Sequence, residues 1–125
     1  MELLTKIAWG LLAALHAMPA LALFRPHLTQ TLYDAEPGGT IGTLLSHRGA
    51  MFLTVVVVSI IALLHGPSRR LASVVVAISM LSFLFVYVRA GSPAGALQGI
   101  ARADMIGLLP LALVIFDAWR GPAAH

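Results

Sequence analysis

Four residues that could carry acid, base or ion-pair chemistry stand in otherwise apolar stretches of this chain: His16, His47, Arg48 and Asp104. An imidazole can exchange a proton near neutral pH, and a guanidinium binds anions. Ionisable groups at membrane depth are costly, so they lock helices together or serve a function. Arg48 and Asp104 have opposite charges and similar predicted depth, and we therefore expect an ion pair. Together the four residues predict a pocket for a polar ligand or a proton.

The helical rise gives the expected depths of these groups. His16 lies about 12 Å inside the membrane, and its depth differs from that of His47 by roughly 9 Å, at 1.5 Å per residue. This separation is a poor fit to a haem with two imidazole ligands, and no metal or cofactor is predicted. Arg102 and Asp104 point in different directions on one helix, so we expect Asp104 to face inwards and Arg102 to reach the headgroups.

Several classes of enzyme are excluded by the absence of their motifs. The chain has no HExxH, GxSxG, P-loop or Gly-rich dinucleotide turn, and it contains no cysteine. Only one carboxylate, that of Asp104, is expected within the membrane, which excludes a mechanism with two carboxylates. A His–Asp pair could still move a proton in an isomerase that acts on a lipid-like substrate. The sequence thus favours a protein that is not an enzyme, without deciding the matter.

The elements that must position these residues are four long apolar runs. The 125 residues are 59% hydrophobic and 10% charged, with a mean hydropathy of +0.92. A helix of about 20 apolar residues crosses the roughly 30 Å hydrocarbon core. We predict an all-α membrane protein, an antiparallel bundle of four transmembrane helices in one domain. The predicted spans are 3–24, 45–65, 71–89 and 100–119. The loop 25–44 is predicted to form a cap outside the membrane, on the extracytoplasmic side.

The first span also resembles a signal peptide, because Ala20-Leu21-Ala22 fits a signal-peptidase site. The acidic Glu2 and the imidazole of His16 argue against cleavage, and we expect the first helix to be retained. Ser92 and Pro93 are a good N-cap and N1 pair, so the fourth helix could begin there. The aromatic residues at the span ends are predicted to be interfacial anchors, namely Trp9, Tyr33, Tyr87 and Trp119.

Small residues recur every four positions along the fourth span. They are Gly95, Gly99, Ala103 and Gly107. Such a stripe lets two helix backbones approach closely in lipid, and we expect it to pack against the first helix or a second copy of the chain.

Three short motifs give the chain a resemblance to a known group. They are Leu15-His16-Ala17-Met18-Pro19-Ala20, Leu44-Leu45-Ser46-His47-Arg48-Gly49-Ala50 and Arg102-Ala103-Asp104. With four spans in this length, the chain resembles the DoxX-like small four-helix bacterial membrane proteins. The resemblance implies a bundle of four helices and, for part of the group, a role like that of quinol-oxidase accessory subunits.

We therefore expect an accessory subunit or a binder of a small hydrophobic, quinone-like or lipid-like ligand. A proton-coupled small-molecule transporter and an intramembrane lipid isomerase are the alternatives. The expected partners are membrane lipids, with a homo-oligomer or a larger membrane complex possible in principle. Nucleic acid is excluded because the net charge of +3 is scattered over loops. We expect a multi-pass protein of the bacterial inner membrane with both termini in the cytoplasm.

Overall fold

The computed structural model describes residues 1–25, 27–34 and 38–120. Within these ranges the chain is helical and contains no strand. The helices are α1 (Glu2–Ala20), α2 (Leu28–Tyr33), α3 (Gly39–Leu64), α4 (Arg69–Arg89) and α5 (Ala96–Trp119), with 3-10 turns at Leu21–Leu23 and Gly66–Ser68. The predicted all-α fold is confirmed.

Four of these helices are long and apolar enough to cross a membrane: α1 with its 3-10 turn, α3, α4 and α5. At 1.5 Å per residue, the 26 residues of α3 extend about 39 Å, more than the hydrocarbon core requires. Large apolar side chains project outwards from all four helices, for example Leu3, Leu64, Leu71 and Leu109. An outer surface of this kind suits lipid and is compatible with a multi-pass membrane protein.

The four long helices form an antiparallel square in which α1 neighbours α3 and α5, and α4 neighbours α3 and α5. The ring of His16 in α1 lies 5.7 Å from that of Phe52 in α3. Gly107 of α5 lies against Leu15 of α1 and Met80 of α4. Helices α3 and α5 therefore stand at opposite corners of the bundle.

The core holds apolar side chains from all four long helices. Its largest members include Trp9, Leu12, Val55, Val76, Met80, Leu111 and Val114. Trp9 is fully buried, so its predicted role as an interfacial anchor is wrong. Tyr87 is also largely buried, and its hydroxyl donates to the Pro93 carbonyl oxygen at 2.7 Å. Both rings fill the bundle because packing against neighbouring helices buries more of their area than the headgroup layer would.

The end of the bundle that carries the α3–α4 connection is closed by arginines. Arg69 is 2% exposed and pairs with both carboxylate oxygens of Glu2, at 2.8 and 3.0 Å. Its Nε also donates to the Ala62 carbonyl oxygen at 2.8 Å, which satisfies a backbone group near the end of α3. Arg70 donates to the Ala118 carbonyl oxygen at 2.9 Å and lies over the Trp119 ring. Arg69 and Arg70 therefore link the ends of all four long helices.

The observed helix boundaries correct two of the predicted ones. Helix α3 begins at Gly39, so residues 39–44 belong to this helix and not to the cap. Helix α5 begins at Ala96, four residues before the predicted start of the span at 100. Ser92 and Pro93 do not start it, because Ser92 has a positive φ of 51° and its N–H bonds to the Tyr87 carbonyl oxygen at 3.1 Å. The short helix α2 lies between α1 and α3 in sequence and packs over α5, as expected of a small cap.

The packing around the stripe of small residues changes along its length. Gly95 precedes α5, is exposed and has φ of 108°. A Cβ added at Gly99 would meet no atom within 4 Å among the described residues. Only Gly107 packs closely, where a Cβ would lie 2.5 Å from Leu15 Cδ2 and 2.8 Å from Met80 Cε. The stripe Gly95, Gly99, Ala103 and Gly107 therefore does not form a continuous contact with α1, and its contact with a second copy of the chain stays a prediction.

Candidate functional site

Arg48 lies in α3, near the end of the bundle covered by α2, and its side chain is half-buried. The guanidinium carbon is 4.8 Å from the Phe52 ring centroid and 4.7 Å from that of Phe83 in α4. The planar cation is thus held between two aromatic rings, an interaction of up to about 2 kcal/mol when desolvated. Its Nε is buried without a hydrogen-bond partner.

The ion pair predicted between Arg48 and Asp104 is not formed. Among the described residues, no carboxylate oxygen lies within 4.0 Å of an Arg48 nitrogen. The two residues do lie near the same end of the bundle, and the Arg48 charge acts electrostatically on Asp104. The physical reason is lateral position: Phe52 and Phe83 hold the guanidinium between α3 and α4, whereas α5 stands at the opposite corner.

Arg48 opens onto a groove between α3 and α4 with a volume of about 710 Å³, which we call the α3–α4 groove. Its walls are mainly apolar and come from both helices: Leu44, Leu45, Met51, Phe52, Val55, Val75, Ile78, Phe83 and Val86. The polar residues that line it are His47, Arg48, Thr54, Ser79 and Ser82. The hydroxyls of Thr54 and Ser82 donate to the carbonyl oxygens of Ala50 and Ser79, so they add little unsatisfied polarity.

A second cavity, of about 330 Å³, lies between α1, α2 and α5, and we call it the α1–α5 cavity. Both His16 and Asp104 line it. His16 is 1% exposed, its Nδ1 lies 2.8 Å from the Leu12 carbonyl oxygen, and its Nε2 is buried with no partner. The ring of His16 therefore bonds within its own helix, to Leu12, and to no other helix among the described residues.

Asp104 is 4% exposed, and no donor among the described residues bonds to its carboxylate. Arg102, two positions earlier, is exposed. The prediction that Asp104 faces inwards and Arg102 faces outwards is confirmed. Gly99 and Ala103 also line the α1–α5 cavity. These small residues therefore leave space beside Asp104, where a helix contact was expected.

The expected single pocket is in fact two, divided by Phe52. His47 and Arg48 line the α3–α4 groove, whereas His16 and Asp104 line the α1–α5 cavity. Phe52 lines both, with its ring 5.7 Å from that of His16 and 4.8 Å from the Arg48 guanidinium carbon.

Two residues of this region, Phe52 and Phe83, were not predicted from the sequence, and Tyr33 was predicted only as an interfacial anchor. Phe52 could have been found, since it stands four residues after Arg48 on the same helical face. Phe83 could not, because its meeting with Arg48 depends on how α4 packs. Tyr33 of α2 has a buried hydroxyl near Arg48; burial raises the pKa of this phenol, and the Arg48 charge acts in the opposite direction.

Among the described residues, no group of three or more His, Cys, Asp or Glu side chains could hold a metal ion.

No protein-family model, curated protein or solved structure matches the chain. Functional inference therefore depends on the geometry of the groove and the cavity.

Proposed function

We propose that this chain binds an anionic phospholipid in the α3–α4 groove and acts as a non-enzymatic membrane binder or accessory subunit. The observation that supports this most directly is the Arg48 guanidinium, which lies in an apolar groove with no described carboxylate in ion-pairing range. An exposed groove in lipid offers such a cation one abundant partner, a lipid phosphate. Guanidinium groups bind phosphate oxygens through strong, charge-assisted hydrogen bonds.

The dimensions of the groove suit one acyl chain. Its lining extends from Leu44 to Val55 on α3 and from Val75 to Val86 on α4, about 17 Å along each helix at 1.5 Å per residue. One leaflet contributes about half of the 30 Å hydrocarbon core. With the head group near Arg48, the groove down to Val55 would hold about 10 Å of an acyl chain, at 1.5 Å per residue.

The polar end of the groove favours an anionic lipid over a second copy of the chain. His47 is exposed beside Arg48 and adds a second group able to donate a hydrogen bond. In a symmetric dimer the same surface meets itself. Two grooves facing each other would bring two Arg48 cations together, which is unfavourable without an anion between them.

Native mass spectrometry and thermal unfolding in nanodiscs test this proposal. We expect the wild-type protein to retain phosphatidylglycerol in preference to phosphatidylcholine, and to melt at a higher temperature in the anionic bilayer. The Arg48→Gln variant should lose about tenfold in phosphatidylglycerol affinity, since a hydrogen bond to a charged group contributes about 1.5–3 kcal/mol. Arg48→Lys keeps the charge and should keep much of the preference. Arg102→Gln removes an exposed arginine near the same membrane surface and should change nothing.

The measured quantity is the difference in retention and melting temperature between phosphatidylglycerol and phosphatidylcholine. A general loss of stability in Arg48→Gln lowers both melting temperatures and leaves this difference interpretable. An equal preference for phosphatidylglycerol in wild type and Arg48→Gln would contradict the proposal. A stable dimer without retained lipid, lost on Ser79→Phe, would assign the groove to a second copy of the chain.

The finer location is also part of the proposal: the bacterial inner membrane, with both termini in the cytoplasm and α2 on the outer side. In support, Lys6, Arg69, Arg70 and Arg120 lie at the end carrying the termini. At the opposite end Arg25, Arg89 and Arg102 are exposed, whereas Arg48 is half-buried between α3 and α4. The resemblance to DoxX-like proteins agrees with this location and with an accessory role.

Proton-coupled transport is the second candidate, because it requires His16 and Asp104 on one cavity and both line the α1–α5 cavity. A lipid isomerase has the same requirement. Proteoliposomes containing a pH-sensitive dye would test transport: substrate-dependent acidification should be lost in Asp104→Asn and kept in Arg102→Gln. Turnover of a lipid substrate without movement of protons would favour the isomerase.

A further inference from the structure

We infer that the α1–α5 cavity is a binding site for a small neutral alcohol or phenol, separate from the lipid groove. The evidence lies in its two buried polar residues. His16 and Asp104 are 1% and 4% exposed, and the imidazole Nε2 is buried without a hydrogen-bond partner. Buried polar groups are nearly always satisfied, so an unsatisfied His16 Nε2 on a cavity that Asp104 also lines indicates a missing partner.

The partner must donate hydrogen bonds. The Leu12 carbonyl oxygen, 2.8 Å from His16 Nδ1, can only accept, so Nδ1 carries the proton. In the neutral ring, Nε2 then offers a lone pair. An ionised Asp104 is also purely an acceptor. A hydroxyl group of a ligand can satisfy either one, and a ligand with two hydroxyl groups can satisfy both.

The charges nearby favour a neutral donor over a cation. The Arg48 guanidinium lies on the other side of Phe52 from this cavity. An ammonium ligand would add a second positive charge near it, where the effective dielectric constant is low. An alcohol or phenol supplies the hydrogen bond without adding charge.

The size and walls of the cavity suit a small apolar body. About 330 Å³ lies at the lower end of the range for small-molecule sites. Apart from His16, Asp104 and Thr31, the lining is apolar or glycine, with the Phe52 ring on one side. Gly99 and Ala103 provide the space on α5, and Leu32 of α2 covers the cavity near the membrane surface.

Calorimetric titration in detergent with three probes of similar shape tests the inference. 4-Butylphenol carries the donor, 4-butylanisole has the same oxygen capped by a methyl group, and 4-butylbenzylamine carries a cation. We expect saturable binding of the phenol, affinity at least tenfold weaker for the anisole, and no tighter binding of the amine. Ala103→Leu should fill the cavity and abolish binding of the phenol. Ala112→Leu makes the same change on an exposed part of α5 and should leave it intact.

A second comparison does not depend on filling the cavity. In Asp104→Asn the ratio of phenol to anisole affinity should fall towards one, because a neutral amide oxygen accepts a hydrogen bond less strongly than a carboxylate. Equal affinity for phenol and anisole in the wild type would overturn the inference. Preferential binding of the amine would overturn the inference in favour of a cation site. If none of the three probes bound saturably, the inference would also be overturned, and the cavity would be one filled by water alone. None of these results depends on lipid preference at Arg48, so the two proposals can fail separately.

Discussion

Asp104 and Asp117 are both buried carboxylates of α5, yet their surroundings differ. Asp117 pairs with Arg120 at 3.2 Å, whereas Asp104 has no ion pair and receives no hydrogen bond from the described residues. A charged group without partners costs a few kcal/mol within a membrane. Asp104 is therefore tolerated at a cost to stability, as expected of a residue kept for binding or proton transfer.

Replacement of Asp104 and Asp117 by asparagine should change the free energy of unfolding in opposite directions. Asp104→Asn removes an unpaired charge at nearly constant volume, and we expect the free energy of unfolding to rise by about 1 kcal/mol, within the cost given above. Asp117→Asn weakens a partly exposed pair and should lower it by up to about 1 kcal/mol. Unfolding by SDS in mixed micelles would measure both. A clear loss of stability in Asp104→Asn would mean that the carboxylate has a stabilising partner after all.

For single residues, the sequence predicted well how far along the bundle each charged group lies. It predicted poorly which neighbouring helices each group faces. The 1.5 Å rise placed Arg48 and Asp104 near one end of the bundle, and the two-residue spacing correctly separated Asp104 from Arg102. The partners of each group depend on which helices are neighbours. In lipid the outside of a helix is as apolar as its inside, so periodicity does not reveal which face of α3 or α4 meets the bundle.

A close backbone contact occurs at Gly49, where α3 passes the end of α1. A Cβ at Gly49 would lie 2.6 Å from the Leu23 backbone nitrogen and 3.2 Å from the Ala22 carbonyl carbon. Backbone atoms cannot rotate away, so Gly49→Ala must push the helices apart. The contact at Gly107 is more tolerant, because it involves the flexible ends of Leu15 and Met80.

Alanine substitutions at three glycines should therefore form a graded series. We expect Gly49→Ala to lower the free energy of unfolding by about 1–3 kcal/mol, the usual cost of overpacking. Gly107→Ala should cost less. Gly99→Ala should be neutral or stabilising by up to about 1 kcal/mol, since its Cβ would point into open space and alanine favours helix. Thermal unfolding in one detergent would rank the three, and a Gly99→Ala variant as unstable as Gly49→Ala would contradict the assigned packing.

The stripe of small residues shows why contact faces were harder to predict than helices. Gly99 and Gly107 are identical in type and stand eight residues apart on α5. Gly99 borders the α1–α5 cavity, whereas Gly107 lies against the side chains of Leu15 and Met80. Gly49, the most restrictive glycine, belongs to no repeating pattern. The length and apolarity of the runs predicted the four long helices, but not these local distances.

Across the whole molecule, the end opposite α2 is held by the Arg69 network. Arg69 joins Glu2 of α1 to the carbonyl oxygens of Ala62 and Leu63, at 2.8 and 3.4 Å. Arg69→Met should lower the free energy of unfolding by about 3 kcal/mol, because it leaves buried carbonyl groups without donors. Glu2 is 55% exposed, so Glu2→Gln should cost at most about 1 kcal/mol. Arg102→Met is the matched control. Equal losses in Arg69→Met and Arg102→Met would contradict the structural role of Arg69.

The proposed orientation is the last property of the whole molecule that can be tested directly. The chain contains no cysteine, so a single introduced thiol reports its own position. His65 and Ala94 are exposed at opposite ends of the bundle, in the α3–α4 and α4–α5 connections. If both termini are cytoplasmic, a membrane-impermeant maleimide should label Ala94→Cys in intact spheroplasts and His65→Cys only after lysis. The reverse pattern would invert the orientation and place the Arg48 end of the lipid groove in the inner leaflet. Labelling of both variants in intact spheroplasts would indicate that the chain inserts in two orientations. This outcome is worth testing because the arginines are almost evenly divided between the two ends of the bundle.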